Sequence, residues 1–397
     1  MKPQLHYIIR LILILLWLPW TQAAECYTGT LPSNTPQFTA AQLLIQGQPR
    51  YAWVYKPNRF APMPLMIFFS GTGSTLEFST LDELGKAAVQ EFAERAGVVL
   101  IFALPQAVNH GDWDHGADAL YWETAQYASL DSAAFSDPIL NPDLNFTRAL
   151  IDEANLVYPI DNNRIYFNGF SSGAFFSYFA AAVLHEQVAA FAATGGGLVL
   201  SQTTAGQPVC QVPSVPADVG SSRSCNAAGW TAQTCVTPGA IPRPLAPEQV
   251  DWVPPAYLQA NDDDNSVPFV HSCQLAHALE KNSATEIHII HQGGGHSVNA
   301  GYLDASWNFL QTKRLDSQLE RAAERIFNFA AARYPTLFNP PVNAANYDFG
   351  YYYRYYPGSN SYLGLQDHNI YYALPTTGIQ AAGSISTFLP QAKAAGF

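Results

Sequence analysis

Residues 169–173 read Gly-Phe-Ser-Ser-Gly, a Gly-x-Ser-x-Gly pattern that can hold a reactive serine on a sharp turn between a strand and a helix. An apolar run at residues 164–168 precedes the pattern, and a helix-like stretch at residues 174–183 follows it. Such a turn strains the serine backbone, and the flanking glycines let neighbouring segments approach closely. The following helix directs free N–H groups towards the same point. Ser171 is therefore the candidate nucleophile for an acyl-transfer reaction.

A serine hydroxyl is a weak nucleophile at neutral pH, so it needs a histidine to accept its proton and a carboxylate to orient that histidine. The expected chain order is Ser, Asp, His. Three consecutive aspartates at residues 262–264 end an apolar run. Asp264 is the preferred acid because it stands three residues before a Val-Pro pair where a turn closes and a helix begins. Asp262 or Asp263 would instead cap that turn.

Six histidines follow Asp264, and His296 is the best placed of them to act as the base. It follows three glycines at residues 293–295, a loop flexible enough to present an imidazole over the serine. The other five are expected to be packing or surface residues on a predicted strand, on a predicted helix or near the C-terminus: His288, His291, His271, His277 and His368.

Acyl transfer also needs two N–H donors that face the developing oxyanion. One is expected to be the amide of Ser172, next after the nucleophile. The other is expected from the Ser-Gly-Thr-Gly-Ser loop at residues 70–74, where Thr72 is the predicted donor. This loop has neither the third glycine of a dinucleotide site nor the lysine of a phosphate loop, so no cofactor is predicted. Trp122 is predicted either to line the substrate pocket or to pack in the core.

Strand-like and helix-like segments alternate from Arg50 onwards, as in an α/β protein with a mostly parallel sheet. Since the carboxyl ends of parallel strands meet at one edge of a sheet, the three distant side chains can come together there. The strands are predicted at residues 51–55, 65–69, 98–103, 164–168, 188–193, 256–260 and 286–291. The helices are predicted at residues 81–96, 145–157, 174–183, 269–281 and 318–332.

The N-terminus has the pattern of a secretory signal, in which Lys2 and Arg10 accompany an almost wholly apolar run at residues 11–20. A membrane anchor is the alternative, but the run is shorter than the roughly 20 residues that a spanning helix needs. The sequence therefore predicts a signal peptide at residues 1–24, a secreted protein and no stable membrane insertion. With 19 basic and 31 acidic residues, the chain has a formal charge of −12, which argues against a nucleic-acid partner.

Residues 200–255 lack periodicity and are rich in Pro, Ser, Thr and Gly, so they are predicted to be an inserted loop region. Three of the five cysteines lie there, and one or two disulfides are expected, with the pairing open and at least one thiol left over. No Cys-x-x-Cys pair occurs, so no metal site is predicted. The insertion is expected either to shape a substrate cleft or to be a surface excursion without a role in binding.

The composition changes after residue 340, because nine of the 21 tyrosines fall between Tyr347 and Tyr372. Glycines punctuate this stretch, so a small β module is predicted at residues 340–397, after a catalytic domain at residues 25–339. Its tyrosines are expected either to pack against the main domain or to stack on sugar rings or polymer chains.

Five segments together resemble the polyhydroxybutyrate depolymerase and feruloyl esterase group of α/β-hydrolases, over roughly residues 50 to 310. They are Pro-Leu-Met-Ile-Phe-Phe-Ser-Gly-Thr-Gly at 64–73, Tyr-Pro-Ile-Asp at 158–161 with Arg-Ile-Tyr at 164–166, the serine motif, Asp264 before Val-Pro, and Gly-His at 295–296. The chain departs from that group at Ser70, where the group has His before Gly, and at Ala260-Asn261, where it has His-Gly.

The resemblance implies an α/β-hydrolase fold and a secreted serine carboxylester hydrolase that acts on polyesters or on ester-decorated plant polysaccharide. Its substrate partner would be an ester, polymeric or small, and its site would be Ser171, Asp264 and His296. The tail resembles a small β domain at the end of some bacterial secreted proteins, which implies no function. The alternatives are a polymer-binding protein on a relic hydrolase core, and a serine thioesterase or peptidase.

Overall fold

A computed structural model describes residues 27–33, 37–107, 120–122, 137, 139–197, 225, 253–279, 285–290, 294–338, 346–348, 351–366 and 368–396. The predicted signal peptide and most of the predicted insertion lie outside the described residues. None of the helices in the described segments combines the length and the hydropathy needed to cross a bilayer.

The strands, numbered along the chain, belong to a central sheet, a two-stranded ribbon and a C-terminal sheet. The central strands are β1 (Thr39–Ile45), β2 (Gln48–Tyr55), β3 (Met63–Phe69), β4 (Val99–Ala103), β7 (Ile160–Gly169), β8 (Ala190–Thr194), β9 (Ala256–Asn261) and β10 (Thr285–Ile290). The ribbon is β5 (Gln106–Ala107) with β6 (Leu120–Tyr121). The C-terminal strands are β11 (Asn346–Asp348), β12 (Tyr351–Tyr356), β13 (Ser361–Gln366), β14 (Asn369–Leu374) and β15 (Gly378–Ser384).

The central sheet has the order β1-β2-β4-β3-β7-β8-β9-β10. Strand β2 runs antiparallel to both of its neighbours, and all pairings from β4 to β10 are parallel. An eight-stranded sheet with its second strand reversed and a crossover at β4-β3 is the α/β-hydrolase fold, so the predicted fold class is confirmed. The structure adds β1, an edge strand that the sequence analysis did not predict.

The middle strands of this sheet are buried on both faces, which explains why they read as continuous apolar runs. Along β3, Leu65 and Ile67 belong to one hydrophobic cluster, while Met66 and Phe68 belong to a second cluster on the opposite face. Two separate cores therefore hold the sheet rigidly between layers of helices.

The helices are α1 (Thr80–Leu84), α2 (Lys86–Ala96), α3 (Pro142–Val157), α4 (Ser172–Val183), α5 (Val270–Leu279), α6 (Ala300–Leu310), α7 (Leu315–Arg333) and α8 (Ile385–Ala394). Helix α3 begins three residues before its predicted start. Asn141 caps it by accepting from the amides of Asp143 and Leu144, over 2.9 and 3.2 Å. A proline is tolerated at the first helical position, so the Asn-Pro pair starts a helix there instead of a turn.

The C-terminal strands form a five-stranded antiparallel sheet in chain order, which confirms the predicted small β module. On β12, Tyr352 and Tyr356 are buried against the main domain, and their hydroxyls donate to the carbonyl oxygens of Asp316 and Phe327 on α7. Tyr355 points to the opposite face. Its ring lies 4.6 Å from that of Tyr362, measured between centroids, and both are exposed. Helix α8 follows the sheet and was not predicted, because Pro390 in its interior disfavours a helix.

A disulfide joins Cys225 to Cys273, with 5.1 Å between their Cα atoms. Cys225 belongs to the predicted insertion, whereas Cys273 is fully buried on α5. A disulfide was expected, and the structure supplies the pairing, which ties the insertion to the helix that follows the aspartate cluster.

Candidate active site

Ser171 occupies the turn between β7 and α4 with φ 56° and ψ −126°, a strained conformation for a residue with a side chain. Its amide donates to the Thr194 carbonyl oxygen over 3.1 Å, which ties the turn to β8. A Cβ at Gly169 would lie 2.2 Å from the Gly173 carbonyl oxygen, and one at Gly173 would lie 2.1 Å from the Phe69 carbonyl oxygen. Only glycine fits at these two positions, because backbone carbonyl groups occupy the space that a Cβ atom would need.

The structure brings the three sequence-predicted triad residues into one hydrogen-bonded chain. The His296 Nε2 atom lies 2.8 Å from the Ser171 hydroxyl, and its Nδ1 atom lies 2.7 Å from the Asp264 Oδ2 atom. Because an ionised carboxylate can only accept, the neutral imidazole carries its proton on Nδ1 and accepts from the serine at Nε2. The carboxylate is 3% exposed and the imidazole 23% exposed, so the imidazole meets solvent while the carboxylate does not.

The second oxygen of Asp264 closes the turn that follows. It accepts from the amides of Ser266 and Val267 over 2.9 and 2.8 Å. One carboxylate therefore does both jobs that the sequence analysis divided between Asp264 and its neighbours. The alternative in which Asp262 or Asp263 caps this turn was wrong, since Asp264 is placed to cap it while it holds the histidine.

The loop that carries the histidine is clamped by side chains from the end of β9. The Asp263 carboxylate accepts from the amides of Gly294 and Gly295 over 3.1 and 2.9 Å. Asn261 donates its Nδ2 to the Gly295 carbonyl oxygen over 2.8 Å. The Tyr302 hydroxyl in turn donates to the Asn261 Oδ1 atom over 2.5 Å. Both glycines have positive φ, so these hydrogen bonds fix a backbone that would otherwise have wide freedom.

Sequence reasoning missed this clamp. Its one signal was a departure, because Asn261 stands where the resembled group has glycine. A glycine could not reach the histidine loop with a side chain, whereas the amide of asparagine has a donor for the loop and an acceptor for Tyr302.

Three further residues surround the imidazole. Phe170 stacks on the His296 ring with the centroids 4.9 Å apart and the planes at 27°. Gly195 has φ 60°, and a Cβ there would lie 3.6 Å from the imidazole Cε1 and 3.5 Å from Asp264 Oδ2. Burial raises the pKa of Glu83, while the nearby His296 lowers it. The imidazole thus lies between the Phe170 ring and the Gly195 backbone, and it interacts electrostatically with the Glu83 carboxyl group as well as with Asp264.

The predicted oxyanion loop lies against the nucleophile. A Cβ at Gly71 would lie 3.4 Å from the Cβ of Ser171, so the two segments are in van der Waals contact. The Gly71 amide donates to the Thr80 hydroxyl over 2.9 Å, which fixes the Ser70–Gly71 peptide, one peptide before the one that carries the Thr72 amide. Ser172 is the first residue of α4, where helical amides have no partner within the helix. The structure therefore places Gly71, the residue before Thr72, against Ser171, and Ser172 directly after it.

Trp122 does not line a pocket, because its side chain is fully buried. Its Nε1 donates to the Ser70 carbonyl oxygen over 2.8 Å, and its ring stacks on Phe176 at 4.7 Å between centroids. Beneath it, the Arg50 guanidinium forms a fully buried ion pair with Asp143 at 2.5 Å and lies 5.7 Å from the Trp122 ring. The pocket-lining prediction is therefore wrong. The packing alternative holds, and it places Trp122 directly under the oxyanion loop.

A cleft of about 640 Å³ opens next to this loop. It is lined by Ser74 and Glu77 after β3, by Leu104 and Gln106 after β4, and by Tyr51 of β2. Because β2 is reversed, its first residues reach the same edge of the sheet as the carboxyl ends of β3 and β4. The cleft therefore lies along the edge that carries the triad, and the sequence analysis had no signal for it.

Among the histidines that the structure describes, only His296 hydrogen-bonds the Ser171 hydroxyl. Burial lowers the pKa of His271 to about 4, although nearby Asp264 opposes that shift. His288 lies on the surface beside Glu286, and His368 pairs with Glu186. In the same part of the chain, no group of three or more His, Cys, Asp or Glu side chains is placed to hold a metal ion.

No family model matches this chain. One curated relative is a bifunctional acetylxylan esterase/xylanase, XynS20E, from Neocallimastix patriciarum, which is 36% identical over 67 residues. Those residues are 17% of this chain and 10% of the relative, so the match spans about a tenth of that protein's length.

Solved structures with a similar chain path include an S-formylglutathione hydrolase from Agrobacterium tumefaciens, with 13% identity and a TM-score of 0.44 over 72% of this chain and 96% of that chain. Acetyl xylan esterase 1 from Thermoanaerobacterium has 13% identity and a TM-score of 0.42 over 72% and 86%. A thermostable esterase has 14% identity and a TM-score of 0.42 over 70% and 63%.

Proposed function

We propose that this protein is a serine carboxylester hydrolase that works through an acyl-enzyme intermediate. The observation that carries the proposal is the unbroken chain of hydrogen bonds from Asp264 through His296 to Ser171. It ends on a serine in a strained turn at the start of a helix. A strained nucleophile, an imidazole that accepts from it and a buried carboxylate behind the imidazole are the parts that nucleophilic acyl transfer requires.

In the first half-reaction the Ser171 oxygen attacks the ester carbonyl carbon while His296 Nε2 takes the hydroxyl proton. Asp264 stabilises the resulting imidazolium, which then gives the proton to the leaving alkoxide as the carbon–oxygen bond breaks. In the second half-reaction water attacks the acyl-serine, His296 takes the water proton, and the same proton returns to the serine oxygen as the carboxylic acid leaves.

Each tetrahedral intermediate places a negative charge on the former carbonyl oxygen. The amides of Thr72 and Ser172 are the proposed donors to it, since Thr72 follows Gly71, which contacts Ser171, and Ser172 follows Ser171 itself. Loss of one such donor typically raises the barrier by about 3 to 4 kcal/mol. Trp122 and Thr80 act indirectly, because they hold the carbonyl oxygen and the amide of the Ser70–Gly71 peptide, which precedes the Gly71–Thr72 peptide.

For the substrate we propose an ester of a polyester or a polysaccharide, or a small ester of the same kind. The motifs shared with the depolymerase and feruloyl esterase group support this range, and the 67-residue match to an acetylxylan esterase/xylanase supports polysaccharide esters within it. The N-terminal apolar run and the Cys225–Cys273 disulfide support secretion. Residues 25–339 would be the catalytic domain and residues 340–397 an appended module.

The test is a panel of purified protein without residues 1–24 against p-nitrophenyl acetate, acetylated xylan, methyl ferulate and polyhydroxybutyrate, with Ser171→Ala as the control. We expect turnover of the short ester by the parent chain and a loss of at least about a thousandfold in Ser171→Ala. Unchanged turnover in that variant would remove Ser171 from the mechanism. A parent chain that binds xylan or polyester without turnover would instead favour the relic-scaffold alternative.

The thioesterase or peptidase alternative uses the same triad and is separated by substrate alone. An acetyl thioester and a peptide p-nitroanilide belong in the same panel. Faster turnover of either than of every oxygen ester would replace the carboxylester proposal.

A further inference from the structure

A second cleft, of about 440 Å³, lies between α7, α8 and the C-terminal sheet. Its volume is within the range of small-molecule sites in proteins. The triad and the oxyanion loop contribute no residue to its lining. It is therefore a candidate site of its own, separate from the chemistry described above.

Small residues keep this cleft open. On β13 and β14, Leu363 and Ile370 are buried and fill the space against α7. On β15 the lining residues are Ala381 and Ala382, and Ala330 is the small residue in the part of the lining that α7 contributes. β15 therefore contributes only these two small side chains to the lining, and apolar surface beside α7 stays uncovered.

The walls of the cleft are apolar and its one charged lining residue is a cation. Phe329, Leu374 and Phe388 form the walls. Arg333 follows Phe329 by one helical turn, so both side chains lie on the same face of α7. In the described segments no carboxylate forms an ion pair with the Arg333 guanidinium, although the chain has 31 acidic and only 19 basic residues.

We propose that this cleft binds a carboxylic acid with an apolar body. The body would lie between Phe329, Leu374 and Phe388, and the carboxylate would meet the Arg333 guanidinium, which binds carboxylates through two parallel hydrogen bonds. A free acid and the carboxyl end of a polyester chain offer the same chemistry. The proposal goes beyond the proposed function, because the cleft would bind such a ligand whether or not the triad hydrolyses esters.

The energetics predict which part of the ligand matters most. Arg333 is exposed at the mouth, so its ion pair is screened by water and is worth about a three- to fivefold change in affinity. Burial of the apolar body contributes more, since each buried CH₂ group is worth about a fourfold change. Affinity should therefore rise steeply with chain length and only modestly with the charge.

The experiment is a calorimetric titration of the full mature chain with butyrate, octanoate and decanoate, after a fluorophosphonate has blocked Ser171. We expect one binding site and an affinity that rises along the series. Decanoate binding that disappears on phosphonate treatment would place the acid at the triad and overturn the proposal. An affinity that does not depend on chain length would also overturn it.

Two variants locate the site. Ala330→Leu fills the cleft and should weaken decanoate binding at least about tenfold. Arg333→Gln should weaken decanoate about three- to fivefold and leave decan-1-ol unchanged. Arg321→Gln removes the same charge from the same helix outside the lining and is the matched control. Unchanged decanoate affinity in both Ala330→Leu and Arg333→Gln would contradict binding in this cleft. If Ala330→Leu does not fold, Arg333→Gln alone tests the proposal.

The two sources of the carboxylate are separated by sedimentation with polyhydroxybutyrate powder before and after its carboxyl ends are methylated. Reduced binding of the parent chain to methylated powder, with no such difference in Arg333→Gln, would identify polymer ends as a ligand. Equal binding to both powders, together with decanoate binding in solution, would assign the cleft to free acids.

Discussion

Ser171 and His296, the proposed nucleophile and its proposed base, are held in place by different kinds of contact. Ser171 is fixed by backbone, because the glycines beside it lie where any Cβ would meet a carbonyl oxygen at about 2 Å. His296 is fixed by side chains, because Asp263 and Asn261 reach across from another strand to hold its loop.

This difference predicts how each half of the site fails. A steric contact with backbone is all-or-none, since the chain must move before an added atom can fit. A hydrogen-bonded loop fails by degrees, since each lost bond adds freedom without making the native geometry impossible. The experiments below test that contrast, from the largest expected effect to the smallest.

Gly173→Ala tests the backbone-held half. Its Cβ would lie 2.1 Å from the Phe69 carbonyl oxygen, so we expect the free energy of unfolding to fall by about 3 kcal/mol or more and esterase activity to be lost. Urea unfolding measures the first effect. The control is Gly73→Ala in the same loop system, where a Cβ meets nothing within 4 Å and only the positive φ of 75° costs about 1 to 2 kcal/mol. Equal losses in both variants would contradict the steric account.

Asp263→Ala tests the side-chain-held half. It removes both acceptors of the Gly294 and Gly295 amides, and a loosened imidazole should lower kcat by about ten- to a hundredfold with little change in KM. Asp263→Asn retains one acceptor oxygen and should recover part of the rate. Asp262→Ala, one residue earlier, is the matched control. If the kcat of Asp263→Ala equals that of the control, the clamp has no role in catalysis.

Trp122→Phe tests the support under the oxyanion loop. The change keeps an aromatic ring but leaves the buried Ser70 carbonyl without its donor, which costs about 1 to 3 kcal/mol of stability. We also expect kcat to fall, because the loop before Thr72 loses one of its two anchors. The control is Trp307→Phe, which replaces a buried tryptophan in the core on the other face of the sheet. It should lower stability and leave kcat unchanged. If Trp122→Phe retains the full kcat of the parent chain, the role of Trp122 is packing alone.

Tyr302→Phe removes the outermost hydrogen bond of the histidine clamp. Its hydroxyl donates to Asn261, so the loss should lower kcat by about fivefold, less than the loss of Asp263 itself. Tyr166→Phe loses a hydroxyl that donates to the Lys313 carbonyl oxygen, away from the loop, and serves as the control. A larger loss of kcat in Tyr302→Phe than in Asp263→Ala would contradict the expectation that the Asp263 hydrogen bonds matter most for holding the histidine loop.

His271→Gln tests how pH affects the stability of the region around Asp264. Burial lowers the pKa of His271 to about 4 in the folded protein, below its ordinary value of 6.5. Between these values the unfolded chain binds more protons, so stability falls as the pH is lowered from 6.5 towards 4. We expect the melting temperature of His271→Gln to drop less than that of the parent between pH 7 and pH 5. Identical drops would exclude His271 as the cause.

Sequence reasoning pointed to the three residues that the structure joins by hydrogen bonds, because each of them carries a local signal. The glycines two residues before and after Ser171 indicate the turn, and His296 follows a run of glycines. It left Trp122 open between pocket lining and packing, because the sequence of a loop does not show whether a tryptophan ring faces solvent or, as here, lies buried under the next loop. It did not find Asn261 and Asp263, whose partners lie more than 30 residues further along the chain.

The amino-acid sequence alone determined the fold class and the order of the triad, because strand burial and turn sterics depend on residues close together in the chain. Only the tertiary structure decided which aspartate meets the imidazole, which cysteine pairs with Cys225, and that β15 leaves a cleft beside α7. Those outcomes depend on which distant side chains are brought within a few ångströms of one another. The packing of the whole sheet and its helices sets those distances.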